Sequence, residues 1–440
     1  MTSRADFINQ QLLLIDGQYA GASNPKHLKM RTSPFVFYRG TAQLFYADLA
    51  VHNLAMPEAF LDVPLTTVMG DCHTSNFGFF TEEGSFGEHI VFSLNDFDDA
   101  CIGYAYWDIL RYLVSLALAA DHGEGVVNGK YESDKDYSNK EYLSDMEVAK
   151  ALQAFLDGYI DILTQAVKRK DTDEYFLDQT FTDFKTPSPL SKRYKKAQSA
   201  AVGGEFFMSN SALAKAVDLT RFPLRFQDNP DKYSRKGVDK SALCTQLSPY
   251  FYHDILDVVK RINSGTSSVN MDRFYLLIGP RDEHNANKVA ACHVVEVKQQ
   301  RTAAPIYYFP ELHHQNQLNP SHLTVKCQHR MQRKQDYCLD EAFFQDSHWL
   351  IRSRHHTKVG FDPEHITLGK VNANEGGFSF YAEACANALA RAHGRGDKSS
   401  LKFESAMLQA LTHTQAELID LAKEYAQQVK QDWHWFCQQR

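Results

Sequence analysis

The stretch "VMGDCHTSNFGFF" (residues 68–80) places the tightest limit on how this chain folds. Asp71, His73 and Asn76 share one short polar turn with apolar residues on both sides. The run "TTVMG" leads into that turn, and "EHIVFSLNDFDD" adds strand character followed by Asp96, Asp98 and Asp99. Strand-like runs bounded by polar turns predict a hairpin over residues 66–97, with polar residues at its ends. Asp and Asn also serve as ordinary turn formers. Their spacing here, with an acidic turn one strand later, suits a loop that aims both side chains into one cleft.

The chain around this stretch is helical, then β-rich, then helical again. "TAQLFYADLAVHN" (41–53) has helical spacing, and "YWDILRYLVSLALAADH" (106–122) is apolar almost all round, which predicts a central helix. Residues 146–170 form an amphipathic pattern with Val148, Leu152, Phe155, Tyr159 and Ile162 on one face. From about residue 255 the pattern turns to hairpins: "ILDVVKRINSGTSSVNMDRFYLLI", "HVVEVKQ" and later "HWLIRSRHH". Helical patterns return at the end. The expected domains are a helical lobe over 1–250 containing the hairpin region 66–100, a β-rich lobe over 251–360, and helices over 361–440 that complete the first lobe.

A formal charge of -7 and a pI near 6.2 argue against a dedicated nucleic-acid or polybasic membrane binder. The eight cysteines include no C-x-x-C pair, which suits reduced thiols in a cytosolic protein. "MTSRADFINQQLLLIDGQYA" lacks the apolar core of a secretory signal, and "LVSLALAA" is too short to span a bilayer. A cytoplasmic protein without nucleic-acid or membrane partners is expected, with its oligomeric state open.

Phosphoryl transfer in the protein-kinase fold needs an aspartate that orients the attacking hydroxyl and accepts its proton. It also needs an asparagine that holds magnesium and a second aspartate that bridges the metal to the phosphates. Asp71 and Asn76 have the D-x-x-x-x-N spacing, and Asp96 stands where the second aspartate belongs. His73 takes a position near the transferring phosphate. A strand lysine behind a small-residue turn is required as well. Nothing before residue 71 supplies it, but "SGTSSVNMDRFYLLI" followed by "HVVEVKQ" does. There Gly265, Ser267 and Ser268 lie in the phosphate-covering turn and Lys298 on the strand. Taken alone, Lys298 reads as an edge-strand surface lysine, and its place after a Gly/Ser turn and two strands brings the functional reading level with that one. The order predicts an α+β, protein-kinase-like, two-lobed fold that is circularly permuted, its β-rich nucleotide lobe following the catalytic loop.

"RTSPFVFYRGTAQLFYADLA", "GDCHTSNFGFF", "VFSLNDFDDACIGYAYWDILRYLVSLALA" and "ALARAHGRGD" resemble an uncharacterised bacterial family, the domain of unknown function numbered twenty-two fifty-two. That family is grouped with protein-kinase-like and aminoglycoside-phosphotransferase-like folds. The resemblance covers nearly the whole chain and is strongest at 31–115 and around 383–397. It implies Asp71 as catalytic base, Asn76 and Asp96 as magnesium ligands, Lys298 as phosphate lysine and Asp108 as a buried anchor for the loop. Two segments depart from its pattern. Ser267 and Asn270 stand where glycines are expected, and Lys326 and Gln328 where the helix after Lys298 would carry an acid, leaving Glu311 as a substitute.

The expected activity is ATP- and magnesium-dependent phosphotransfer to a small-molecule or protein hydroxyl. Alternatives on the same fold are a nucleotide-binding, pseudokinase-like regulator and an AMP transferase. A metallophosphoesterase using Asp71 and His73 would need a G-N-H sequence, which is absent. Asp98 either supplements the metal ligands or solvates its turn. Arg111, one helical turn after Asp108, suggests an ion pair between the two. Arg39 is a cleft residue or a local hydrogen-bond donor. Arg391, His393 and Arg395 either face the cleft or complement a helix end. "SKRYKKAQ" (191–198) is expected to be solvated surface rather than a phosphate site.

Overall fold

Apolar residues nearly encircle the helix Ala105–Val127, and it is buried along almost its whole length. It forms the axis of the largest hydrophobic core in the computed structural model. The structure describes residues 3–439, apart from 22, 86, 88, 170–175, 177, 185–186, 263–270, 281–285 and 397–399. A second long helix, Asp145–Lys168, starts at Ser144, whose hydroxyl accepts the Glu147 N–H at 3.3 Å. It buries Leu152, Phe155, Tyr159 and Ile162, with Val148 half-buried at the margin of the same face.

This helix packs on Gly377–Arg395, whose small residues let the two backbones approach closely. A Cβ at Gly158 would stand 3.1 Å from Glu383 Cγ. The C-terminal helix Lys402–Gln438 adds Phe403, Met407, Leu411, Leu418 and Phe436 to the same core. Each fully buried Leu or Phe contributes roughly 1.5–3 kcal/mol, so tertiary burial rather than helix propensity holds these helices in place. Among the described residues, no helix is long and apolar enough to cross a membrane.

The strands are β1 (Thr66–Val68), β2 (Phe77–Thr81), β3 (Ile90–Leu94), β4 (Cys101–Gly103), β5 (Val217–Asp218), β6 (Arg225–Phe226), β7 (Tyr233–Ser234), β8 (Asp254–Arg261), β9 (Arg273–Gly279), β10 (His293–Gln299), β11 (Asp340–Phe344), β12 (Ser347–Ser353) and β13 (Lys358–Gly360). The fold is thus mixed helix and sheet. Residues 66–97 do not form one hairpin. β2 pairs with β3, placing Phe77 opposite Leu94, whereas β1 pairs with β4, placing Thr66 opposite Gly103. The polar turn therefore links two separate antiparallel ribbons. Local alternation identifies a strand but not its partner. β13 returns from far along the chain to pair with β2, with Lys358 opposite Phe80.

β7 to β12 build one six-stranded sheet in the order β11-β12-β10-β9-β8-β7. Along β10, Val295 and Val297 enter a core with Phe274, Trp349 and Ile351. The alternate residues Glu296 and Lys298 point to the other face, as the strand's period of two requires. Lys298 is 1% exposed on an interior strand, which overturns the edge-strand alternative. The sheet's cover begins before residue 251. Phe207, Leu213 and Phe226 pack on one face and Leu243 and Leu247 on the other, since a sheet apolar on both faces needs two covers.

Candidate functional site

The backbone of the polar turn is fixed from four sides. Asp108, fully buried on the central helix, accepts the N–H groups of Met69 at 2.6 Å and Gly70 at 3.1 Å. The Tyr46 hydroxyl donates to Gly70 O at 2.6 Å, and the Tyr381 hydroxyl donates to Thr74 O, also at 2.6 Å. The Thr74 N–H donates to Ser115 Oγ at 3.0 Å. Behind Asp108 lies His393, with Nε2 at 3.0 Å from Asp108 and Nδ1 at 2.7 Å from the Tyr159 hydroxyl. His393 is wholly buried there, which removes it from the cleft. Arg391 and Arg395 donate to the backbone carbonyls of Phe176 and Met331.

Arg111 pairs with Asp71 rather than Asp108. Its Nε and Nη2 donate to Asp71 Oδ1 at 3.0 and 2.5 Å, and its guanidinium lies over the Tyr38 ring. One helical turn brought Asp108 and Arg111 to the same side of the helix. The loop's free N–H groups claimed the carboxylate, and Asp71 took the guanidinium. Two donors on one oxygen orient the Asp71 carboxylate and leave Oδ2 without a hydrogen bond among the described residues, 3.7 Å from His73 Nε2.

His73 itself is 2% exposed, and its Nδ1 has no partner among the described residues. Burial, then the nearby Arg39 and Arg111 charges, push its pKa well below the usual range, so the ring is neutral at pH 7. Asn76 donates from Nδ2 to Asp71 O at 2.8 Å, which leaves its side-chain carbonyl free of any described partner. The Asn95 N–H donates to Asn76 O at 3.0 Å and so ties the polar turn to the acidic one.

The three aspartates of the acidic turn have different surroundings. Asp99 is buried, held by Arg301 at 2.8 Å and by the Ala304 N–H at 2.7 Å. Asp98 forms an ion pair with Lys298 and lies 3.5 Å from Arg352. Burial alone would raise its pKa, but the Lys298 and Arg352 charges outweigh this and hold it far below the carboxylate range. Asp96 has no cation within 4 Å among the described residues and accepts only the Asp98 N–H, at 3.3 Å. Burial and the neighbouring Asp98 charge raise its pKa, partly offset by Arg352, Lys358 and Lys298.

The carboxylate partner of Lys298 is therefore Asp98. Glu311 is exposed and bonds Gln317, and Gln328 bonds Gln332. Two residues before Lys298, Glu296 binds Arg273 at 3.0 Å and Arg352 at 2.8 Å. Neither Glu296 nor Arg352 was singled out in the sequence. The signal was present in "EVK" and "LIRS", where period-two strands point a charge inward. Contacts thus join Asp71 to His73 and Asn76, and Asp98 to Asp96 and Lys298, with the Asn95–Asn76 backbone bond linking the two groups, whereas Gly265, Ser267 and Ser268 lie outside the described residues.

Among the described residues no three His, Cys, Asp or Glu side chains cluster as a metal centre. Besides Asp71 Oδ2, oxygens of Asp96 and Asn76 are left open among the described residues. Such a sparse set suits magnesium, which takes one or two protein carboxylates and completes its shell with water and phosphate oxygens. A family model described as "Uncharacterized protein conserved in bacteria (DUF2252)" matches residues 20–439. The chain belongs to this family. The DUF2252 match includes every one of these residues. No curated protein and no solved structure matches the chain significantly.

Proposed function

We propose that this DUF2252 member is an ATP- and magnesium-dependent phosphotransferase with a circularly permuted, protein-kinase-like, two-lobed architecture. The observation that carries this is the Lys298–Asp98 ion pair. It joins the lysine strand to the acidic turn, and through Asn95 and Asn76 to the Asp71 loop, from opposite halves of the chain. The strand order adds support, since Lys298 follows a β8–β9 pair joined by the segment whose sequence includes "SGTSS".

Asp96 and Asn76 are the residues that would hold magnesium. Bound magnesium ATP supplies the phosphoryl group and spreads the charge that develops on its oxygens. The chain's own part begins with Asp71, whose Oδ2 orients the acceptor hydroxyl and receives its proton. Arg111 fixes that carboxylate through Oδ1, and neutral His73 stands 3.7 Å from Oδ2 without adding a competing charge. Lys298, steadied by Asp98, offers an ammonium to phosphate oxygens.

Calorimetry with ATP, with and without magnesium, tests this on wild type, Asp96→Asn and Asp71→Asn. Magnesium-dependent binding is expected in wild type and Asp71→Asn and is lost in Asp96→Asn. With an accepted substrate, turnover by Asp71→Asn falls about 10²–10⁴-fold, the usual worth of a general base. Absence of binding by folded wild type overturns the proposal. A nucleotide-binding regulator is favoured by one feature, the engagement of Lys298 by a carboxylate of the acidic turn itself. Binding without transfer of either phosphate or AMP would select it.

A further inference from the structure

"SKRYKKAQ" lies on the helix Pro189–Ala200, and two of its cations, Arg193 and Lys196, line a cavity of about 850 Å³. Arg39 and Ser75 place the same cavity against the Asp71 loop, and Lys358 places it against the acidic turn through a 2.9 Å bond to Asn95 O. Among the described lining residues ten are Lys or Arg and one, Asp362, is a carboxylate. In a chain of net charge -7 this is a marked local reversal of sign.

Two of these cations, Arg273 and Arg354, share the single carboxylate of Glu296. The other eight, Arg39, Arg193, Lys196, Lys215 and Lys358 among them, have no carboxylate within 4 Å among the described residues. The Arg39 Nε is buried with no hydrogen-bond partner among the described residues. Arg193 rests against the Phe361 ring at 5.8 Å, which fixes its guanidinium toward the cavity wall. Burial and the nearby Arg193 and Lys215 charges lower the Lys196 pKa, the mark of like charges held together. These cations come from separate segments of the chain, so helix surface statistics do not explain their convergence. A single phosphate is satisfied by two or three donors, and this wall offers more.

We propose that the cavity binds the acceptor, a hydroxylated molecule carrying two or more clustered phosphate groups. Naming it the acceptor rests on the phosphotransferase proposal, whereas the binding itself does not. In the transfer, Asp71 takes the hydroxyl proton while the acceptor oxygen bonds to the γ-phosphorus and ADP departs.

The probe is inorganic tripolyphosphate, titrated calorimetrically without magnesium into the full chain. Wild type is expected to bind it, more weakly as salt rises. Lys196→Gln/Lys215→Gln, which alters two exposed side chains outside the Asp71–Asp96 machinery, is expected to bind about tenfold more weakly or worse. That variant keeps magnesium-dependent ATP binding, and Asp96→Asn keeps tripolyphosphate binding, so the two proposals fail separately. Undiminished binding by the double variant, no binding by wild type, or full displacement of tripolyphosphate by magnesium ATP overturns the inference. Flotation with vesicles containing phosphatidylinositol bisphosphate separates the sources. Charge-dependent flotation assigns the phosphates to a lipid headgroup, and none assigns them to a soluble molecule.

Discussion

Asp98→Asn is expected to destabilise the protein by about 3–5 kcal/mol, the usual result of removing one partner from a buried ion pair. The loss arises on the other side of the pair. Lys298 is 1% exposed, and with Asp98 neutral its ammonium keeps no carboxylate within 4 Å among the described residues. Arg352 keeps Glu296 at 2.8 Å and so suffers less. The Asp98 carboxyl is held far below its unfolded value, so its contribution is fully present above a pH of about 3.9. It fades only as the pH falls through the depressed folded value. Urea unfolding at pH 7 measures the effect. A loss under about 1 kcal/mol would mean that the pair does not hold the sheet to the acidic turn.

Two residues earlier the same substitution should act in the opposite direction. Asp96 is raised by burial and by Asp98, so its ionised form is the less favourable one in the folded chain. A group with a raised folded pKa stabilises below its unfolded value and loses that contribution as the pH rises. At pH 7, therefore, the charged Asp96 is a cost, and Asp96→Asn is expected to stabilise by about 0.5–2 kcal/mol, the range common for relieved strain at functional sites. The same variant is expected to lose magnesium-dependent nucleotide binding. Stability gained where binding is lost distinguishes a ligand site from a structural carboxylate. An Asp96→Asn protein that unfolds earlier than wild type would contradict this.

The sequence disclosed what is local and hid what depends on partners. Apolar periodicity marked the helices at 105–127 and 145–168 because 3.6-residue spacing is visible within a window. Lys298 was legible from alternation along "HVVEVKQ", and Asp71, Asn76 and Asp96 from spacing. Their partners were not. The acid for Lys298 was sought on the following helix but comes from the acidic turn, and a pairing between such distant residues leaves no local pattern. β1 looked like half of a hairpin with β3 and pairs instead with β4. Lys192, Lys195 and Lys196 of "SKRYKKAQ" are exposed as expected, but nothing nearby in the sequence shows that Lys215, Arg39 and Lys358 line the same cavity as Arg193 and Lys196. Electrostatic sites assembled from several segments are where reading by window fails.

Gly70→Ala is expected to cost more than 3 kcal/mol, for a reason that can be separated from its backbone angle. Gly70 has φ +74°, where an L side chain costs roughly 1–2 kcal/mol. A Cβ there would also press into the Asp99 peptide, deep inside contact with its carbonyl oxygen and 2.8 Å from the carbonyl carbon. That peptide has little room to give, because Arg301 and the Ala304 N–H hold the Asp99 side chain. The loop must move instead, and Asp71 moves with it. Gly237 supplies the control, with φ +72° and open space around its missing Cβ. Gly237→Ala should therefore show the conformational cost alone, about 1–2 kcal/mol. Unfolding of both variants in urea isolates the collision as their difference. Equal losses would show that the polar loop yields without strain, and that its close approach to the acidic turn is not what positions Asp71.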